Sequence, residues 1–251
     1  MLPSTPGSQN ITEFNVALSS VTAVSSTGRD SLGSSSFPAT VLLDSGGTIS
    51  TLPDDLVDEI WHEAGAIQDE VGTPHVPCSF ANNDAWFEFG FGGPGGAVIK
   101  VSLSQLVSGG PIRIAFTNGT YKGQEACGFG IRKGGGRSVL GDTFLRSAYV
   151  VYDLENLEIG LADAIFNKTS SGSSVVPFAR KAAPIPSSTP APSQDSAAMR
   201  AAAVTATPTV YAAANGFQSN TTTKSAALSG PRGNWKFTIS LVVGLVLILS
   251  L

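Results

Sequence analysis

Basic residues are scarce in this chain. Only 15 of its 251 residues are Lys or Arg, against 19 Asp or Glu, so the formal net charge is −4. The few cations are scattered. A phosphate-binding face needs them clustered, which excludes nucleic acid as a partner. Charged residues of both signs reach only 14%, histidine occurs twice and cysteine twice. His75 stands three residues before Cys78, but no further pair of ligand residues follows at suitable spacing, so a zinc site is not expected. The first 21 residues, "MLPSTPGSQNITEFNVALSSV", contain no basic segment followed by an apolar run, and therefore no signal peptide. Long apolar runs are missing everywhere except at the end.

That end is "FTISLVVGLVLILSL", residues 237–251, without a charge. As a helix it would span roughly 22 Å, short of a hydrocarbon core of about 30 Å. Before it lie the small residues of "KSAALSG" and the polar spacer "SGPRGNWK". Small residues, spacer and apolar tail form the signal for a glycosylphosphatidylinositol (GPI) anchor, with Ser225 or Ala226 as attachment residue. A short tail-anchor helix is the plainer alternative. A GPI tail implies entry into the secretory pathway, so the expectation is a surface or extracellular protein, tethered to plasma membrane or cell wall, whose natural N-terminus precedes Met1.

Other features agree with secretion. Two cysteines, Cys78 and Cys127, suggest a disulfide, with two buried thiols as the alternative. Asn10, Asn118, Asn167 and Asn220 each begin an Asn-x-Ser/Thr triplet that can accept a glycan. From Asn167 to residue 236 Ser, Thr, Ala and Pro dominate, with few aromatics. Such a segment buries too little apolar surface to offset chain entropy and reads as a disordered, O-glycosylated stalk.

Residues 1–166 are different, with β-branched and aromatic residues in short runs between many of the chain's 28 glycines. "EFNVALSSVTAV" alternates as a strand does, and "ATVLLD" reads as a strand buried on both faces. "TLPDDLVDEIWHEAGA" is the best helix, with Pro53 and two acidic residues at its start and Leu56, Ile60 and Trp61 on one stripe. His62 reads as an exposed residue of that helix. From Cys78 to Phe116 strands alternate with glycine turns, and "SVLGDTFLRSAYVVYDLENLEIGLA" supplies three more, with one helical turn over Phe144–Ser147. The fold class is mainly β.

Within that pattern "VLLDSGGTISTLP", residues 41–53, places Asp44 at the end of a buried strand, where a carboxylate is costly unless it is stabilised or used. It resembles the second active-site motif of the pepsin family of aspartic endopeptidases. About 95 residues further, "SVLGDTFLR" resembles the Gly-containing crossing strand of the same family. The resemblance covers residues 13–164, and the GPI-type tail points to the fungal yapsin group. It implies a single C-terminal lobe of the bilobal pepsin-like fold, with one or two short helices. Asp44 would be catalytic, with Ser45, Gly46, Gly47 and Thr48 supporting its loop. In the family two such aspartates share one proton across a cleft; the ionised one activates a water that attacks a peptide bond in acid. The substrate would be a polypeptide, and the resemblance implies neither a metal nor an organic cofactor.

Two features depart from the family. No partner motif exists: "GRDSLG", residues 28–33, lacks the glycine directly after Asp-Ser and the apolar strand before it. The other lobe, or a second copy of this chain, would have to supply the second aspartate. Gly47 also stands where the family carries Thr or Ser. A lobe without its partner should expose apolar residues near "TVLL" and "SVLG". A non-catalytic, GPI-anchored β-domain derived from a protease lobe is the alternative.

Overall fold

Alternation of apolar and small polar residues after Phe14 produces one long strand, β1 (Asn15–Ser25), and the rest of the main sheet is laid against it. The computed structural model describes residues 13–109, 114–166, 176–181, 183–192 and 196–219. The chain continues through β2 (Gly28–Leu32), β3 (Ala39–Leu43) and β4 (Ser50–Leu52) into helix α1 (Asp54–Ala64). Next come β5 (Ile67–Gln68), β6 (Pro74–Pro77), a 3₁₀ turn (Cys78–Asn82), β7 (Trp86–Phe91) and β8 (Val98–Ser102). Helix α2 (Leu103–Leu106) leads to β9 (Val107–Ser108), β10 (Ile114–Ala115), β11 (Glu125–Phe129), β12 (Ile131–Lys133) and β13 (Val139–Leu140). Helix α3 (Asp142–Leu145), β14 (Ala148–Asp153) and β15 (Glu158–Asp163) follow, and then α4 (Ser196–Ala201) and α5 (Ala214–Phe217).

The main sheet has the order β12-β4-β13-β3-β1-β7-β8, with β2 also on β1. Strand β13 lies between β3 and β4, parallel to β3 and antiparallel to β4. A second sheet, β10-β11-β6-β5 with β9 on β11, carries the Cys78–Cys127 disulfide, which closes a sequence separation of 49 residues. Strands β14 and β15 pair only with each other among the described residues. One core joins the two larger sheets to α1, filled by Phe80, Phe87, Phe89, Phe129 and Phe144 among others. The expected mainly β lobe with few short helices is what the structure contains.

Helix α1 forms where the sequence places it. Asp54 and Asp55 occupy its first turn, favourable at the positive end of the helix dipole. Leu56, Val57, Ile60, Trp61 and Ala64 are buried, and the Trp61 indole N–H donates to the Ile131 carbonyl at 2.9 Å. Gly65 stops the helix in the left-handed region (φ 63°), where glycine carries no Cβ penalty.

Three local expectations shift. Cys78–Asn82, read as extended, turns as a 3₁₀ helix after Pro77 because Phe80 reaches the core that way. Leu103 and Leu106, inside an expected strand, form a helical turn that buries both, since residues three apart share a helix face. The turn expected over Phe144–Ser147 begins earlier, at Asp142.

The larger difference lies beyond residue 166. Composition points to an unpacked stalk, yet residues within 183–192 and 196–219 touch the lobe repeatedly. The Ala183 carbonyl accepts from the Asn156 side chain at 2.9 Å, and the Ser34 amide donates to the Val204 carbonyl at 3.0 Å. Asn83 Nδ2 donates to the carbonyls of Gly216, Phe217 and Ser219 at 2.8–3.0 Å. Met199, Ala213 and Phe217 are buried, the Phe217 ring 4.7 Å from that of Phe87. A few well-spaced apolar side chains suffice to dock a segment whose average composition argues against folding.

Candidate active site

Strand β3 ends at Leu43, and the chain turns over Asp44–Ile49 before returning as β4. The turn is tied at both ends. The Asp44 amide donates to the Leu140 carbonyl (3.1 Å), the Gly47 amide to the Asp44 carbonyl (3.2 Å), and the Asp142 amide to the Gly47 carbonyl (2.7 Å). Asp44 Oδ1 accepts from the Gly46 amide at 2.9 Å. The carboxylate is therefore held on a short, cross-braced loop and half-buried, while Ser45, Gly46 and Thr48 are exposed.

Beneath the loop lies a buried polar clamp that sequence reasoning missed. The Thr143 hydroxyl donates to the Gly130 carbonyl (2.9 Å) and accepts from the Ser50 amide (3.1 Å). The Ser50 hydroxyl accepts from the Gly141 amide at 3.2 Å. Ser50 and Thr143 are 1% and 4% exposed, so the clamp operates away from water, where hydrogen bonds are stronger. The only signal in the sequence was the spacing between the Asp44 motif and "VLGDTF".

Gly141 is where these strands approach most closely. A Cβ there would lie 2.4 Å from the Ile49 carbonyl oxygen and 2.6 Å from that of Gly47. Gly47 differs: its nearest neighbours would be at 3.5–3.7 Å, ordinary contact, and Asp44 Oδ2 is among them. The loop has room for the family's hydroxyl residue, and this chain does without it. No hydroxyl among the described residues bonds the Asp44 carboxylate; the exposed Thr48 does not replace the missing group.

The remaining expected site residues separate widely. Cys78 and Cys127 are bonded to each other. Asn118 is exposed beside Gly119 on a turn, open to solvent. Asn10, Asn167, Asn220, Ser225 and Ala226 lie outside the described residues, as does the tail 237–251. Among the described residues no helix is long and apolar enough to cross a membrane. His62 is exposed, with its ring 3.9 Å from Tyr211, and His75 Nε2 lies 3.0 Å from Asp69. Two open depressions, of about 340 and 440 Å³, are lined by residues around Ser36–Thr40 and around Trp61–Ile67, not by Asp44.

The apolar surface left uncovered is not where the sequence put it. Val41, Leu43 and Leu140 are buried. Tyr149 (65% exposed), Leu154, Ile165 and Phe166 on and around the β14–β15 hairpin are open instead.

A strand, an Asp-Ser-Gly turn and a strand that crosses between β3 and β4 and runs into Gly141 define a lobe of an acid protease. Residues 6–164 match the profile of the eukaryotic aspartyl protease family, and the chain belongs to that family. A protein of Aspergillus oryzae named probable aspartic-type endopeptidase opsB is 42% identical over 161 residues, which are 62% of this chain and 31% of that protein. Secreted aspartic protease 7 of Candida albicans is 39% identical over 129 residues, 50% of this chain and 20% of that protein. Barrierpepsin of Saccharomyces cerevisiae is 34% identical over 137 residues, 54% of this chain and 21% of that protein. The chain thus spans about a third or less of the curated relatives it matches.

Proposed function

We propose that this chain is the C-terminal lobe of a fungal, yapsin-like aspartic endopeptidase and that Asp44 is one of its two catalytic carboxylates. The observation that carries the reading is the Asp44 loop: a carboxylate on a turn braced by Leu140, Asp142 and its own Gly46 amide, in a chain of this family. The second carboxylate would come from an N-terminal lobe. Two carboxylates facing each other cannot both ionise, so the pair would hold one proton. The ionised member takes a proton from water as the water attacks the peptide carbonyl. The other donates to the carbonyl oxygen, and the leaving nitrogen is then protonated. The exposed β14–β15 hairpin supports the reading, because monomers rarely leave such apolar surface open and the other lobe would cover it.

The same proposal places the protein at the cell surface, through a GPI anchor attached at Ser225 or Ala226, with glycans on Asn10, Asn118, Asn167 and Asn220. The apolar tail, the sequons and the extracellular implication of the name secreted aspartic protease 7 support it.

The test is reconstitution. The chain alone should not hydrolyse peptides at acidic pH. Mixed with the N-terminal lobe of the Aspergillus oryzae relative it should, and Asp44→Asn should lower that turnover by at least about 10²-fold, the usual weight of a positioned acid or base. Turnover unaffected by Asp44→Asn would refute the assignment. Turnover of the chain alone that rises with the square of its concentration would identify a second copy as partner. The Asp44 carboxylate, bonded by no hydroxyl among the described residues, favours the alternative of a non-catalytic surface domain. Correct pairing with the N-terminal lobe but no turnover would select it.

A further inference from the structure

Three carboxyl groups meet under the docked C-terminal segment. Asp30 comes from β2, and Glu59 and Glu63 from successive turns of α1; they are 7%, 7% and 0% exposed. No cation among the described residues pairs with any of them. The neighbouring Arg29 is committed to Glu88 at 2.6 Å. From the segment itself, the Tyr211 hydroxyl donates to Glu59 Oε2 at 2.7 Å and the Ala213 amide to Asp30 Oδ2 at 2.6 Å. The exposed His62 ring lies against Tyr211 on the solvent side. Among the described residues no donor reaches either Glu63 oxygen. The Asp30 carboxyl faces it, and two carboxylates have no proton between them unless one is protonated.

We propose that residues 204–219 form a proton-gated strap, docked between β2 and α1 while Glu63 holds a proton against Asp30 and loosened when that proton leaves. The geometry gives the strap two hydrogen bonds to this carboxyl cluster, so its seat depends on the cluster's charge. With the proton present, Glu63 donates to Asp30 and the cluster carries one negative charge fewer. With it gone, three buried carboxylates repel without a counter-ion, and lifting the strap is the direct way to admit water.

The Glu63 carboxyl is pushed up to about 8, first by burial and then by the bond and charge of Asp30 and the charge of Glu59. Tyr211 is pushed up to about 12 and remains a donor throughout. Once the strap lifts, Glu63 meets solvent and returns towards its ordinary value of 4.5. The docked state therefore binds the proton more tightly, and docking weakens as pH rises from about 4.5 to about 8, by at most roughly tenfold per pH unit. This inference does not depend on Asp44 being catalytic.

Hydrogen exchange of the amides of residues 211–219, measured in the full chain from pH 6 to 9 and corrected for intrinsic base catalysis, tests it. Opening of the strap should rise several-fold to tenfold per unit up to about pH 8 and then level off. Glu63→Gln, permanently neutral and still a donor to Asp30, should keep the strap docked with no pH dependence. Tyr211→Phe should open the strap more at every pH yet keep the slope. Opening independent of pH in the natural chain, an unchanged slope in Glu63→Gln, or a lost slope in Tyr211→Phe would each overturn the proposal.

Discussion

Adding one methyl group at Gly141 and larger side chains at Gly47 probes how tightly the Asp44 loop is built. Gly141 has an ordinary backbone (φ −90°, ψ −160°), so alanine there suffers no conformational strain. The whole penalty is steric. The new Cβ would stand 2.4 and 2.6 Å from two carbonyl oxygens, whose positions are fixed by the Asp142 amide and by the return of the chain into β4. Backbone cannot swing aside as a long side chain does, so the crossing strand and the loop must separate by several tenths of an ångström. Overpacking of this kind costs about 1–3 kcal/mol. Loosening the bonds from Gly141 to Ser50 and from Asp142 to Gly47 adds about 1 kcal/mol. At about 2–4 °C per kcal/mol for a chain of this size, Gly141→Ala should melt roughly 5–15 °C lower. Gly47→Thr supplies the control, because its Cβ meets nothing closer than 3.5 Å. It should melt within about 2 °C of the natural chain, the range of substitutions that disturb no packing. Differential scanning calorimetry of the two variants side by side decides the matter. Equal melting temperatures would refute the idea that close backbone approach, and not mere glycine content, defines this loop.

Thr143→Val keeps the shape of the clamp and removes the hydroxyl shared by Gly130 and Ser50. Urea unfolding should show a loss of about 1–3 kcal/mol, the cost of leaving buried polar groups unpaired. Reduction of Cys78–Cys127 should add about 2 Da to the intact mass and, for a separation of 49 residues, lower stability by about 4 kcal/mol on the loop-entropy model. Asn83→Asp should release the strap, because a carboxylate would face three carbonyl oxygens; exchange of the residue 211–219 amides should then speed up while those of β1 stay protected. Global stability should fall as pH rises from about 4.5 to about 8, since folded Glu63 holds a proton that the unfolded chain has released, and Glu63→Gln should flatten that slope.

What the sequence revealed and what it hid follow from the range of the interactions. The Asp44 loop and α1 were legible because their determinants are local: an apolar run before Asp44, acidic residues at a helix start, apolar positions on one stripe. The clamp of Ser50, Thr143 and Gly141 was not, since it joins residues more than 90 apart and each looks ordinary alone. In the sequence Asp30 shows only as an incomplete copy of the Asp44 motif. Its partners, Glu63 and Ala213, lie 33 and 183 residues further along the chain. The docking of the C-terminal segment was hidden for a different reason. Averaged composition dilutes Met199, Tyr211 and Phe217 among alanines, serines and prolines, although those three side chains choose where the segment lies.

The strap also changes the path of mechanical load. If the chain were pulled from beyond Ser219, force would not reach β15 first. It would enter at α5, through three carbonyls held by one Asn83 side chain and through Phe217 seated on Phe87. Asn83 stands five residues from Cys78, whose disulfide transmits tension straight to Cys127 in the second sheet. The lobe would thus be held by its cross-linked interior, with the solitary β14–β15 hairpin shielded from strain until the strap had peeled away.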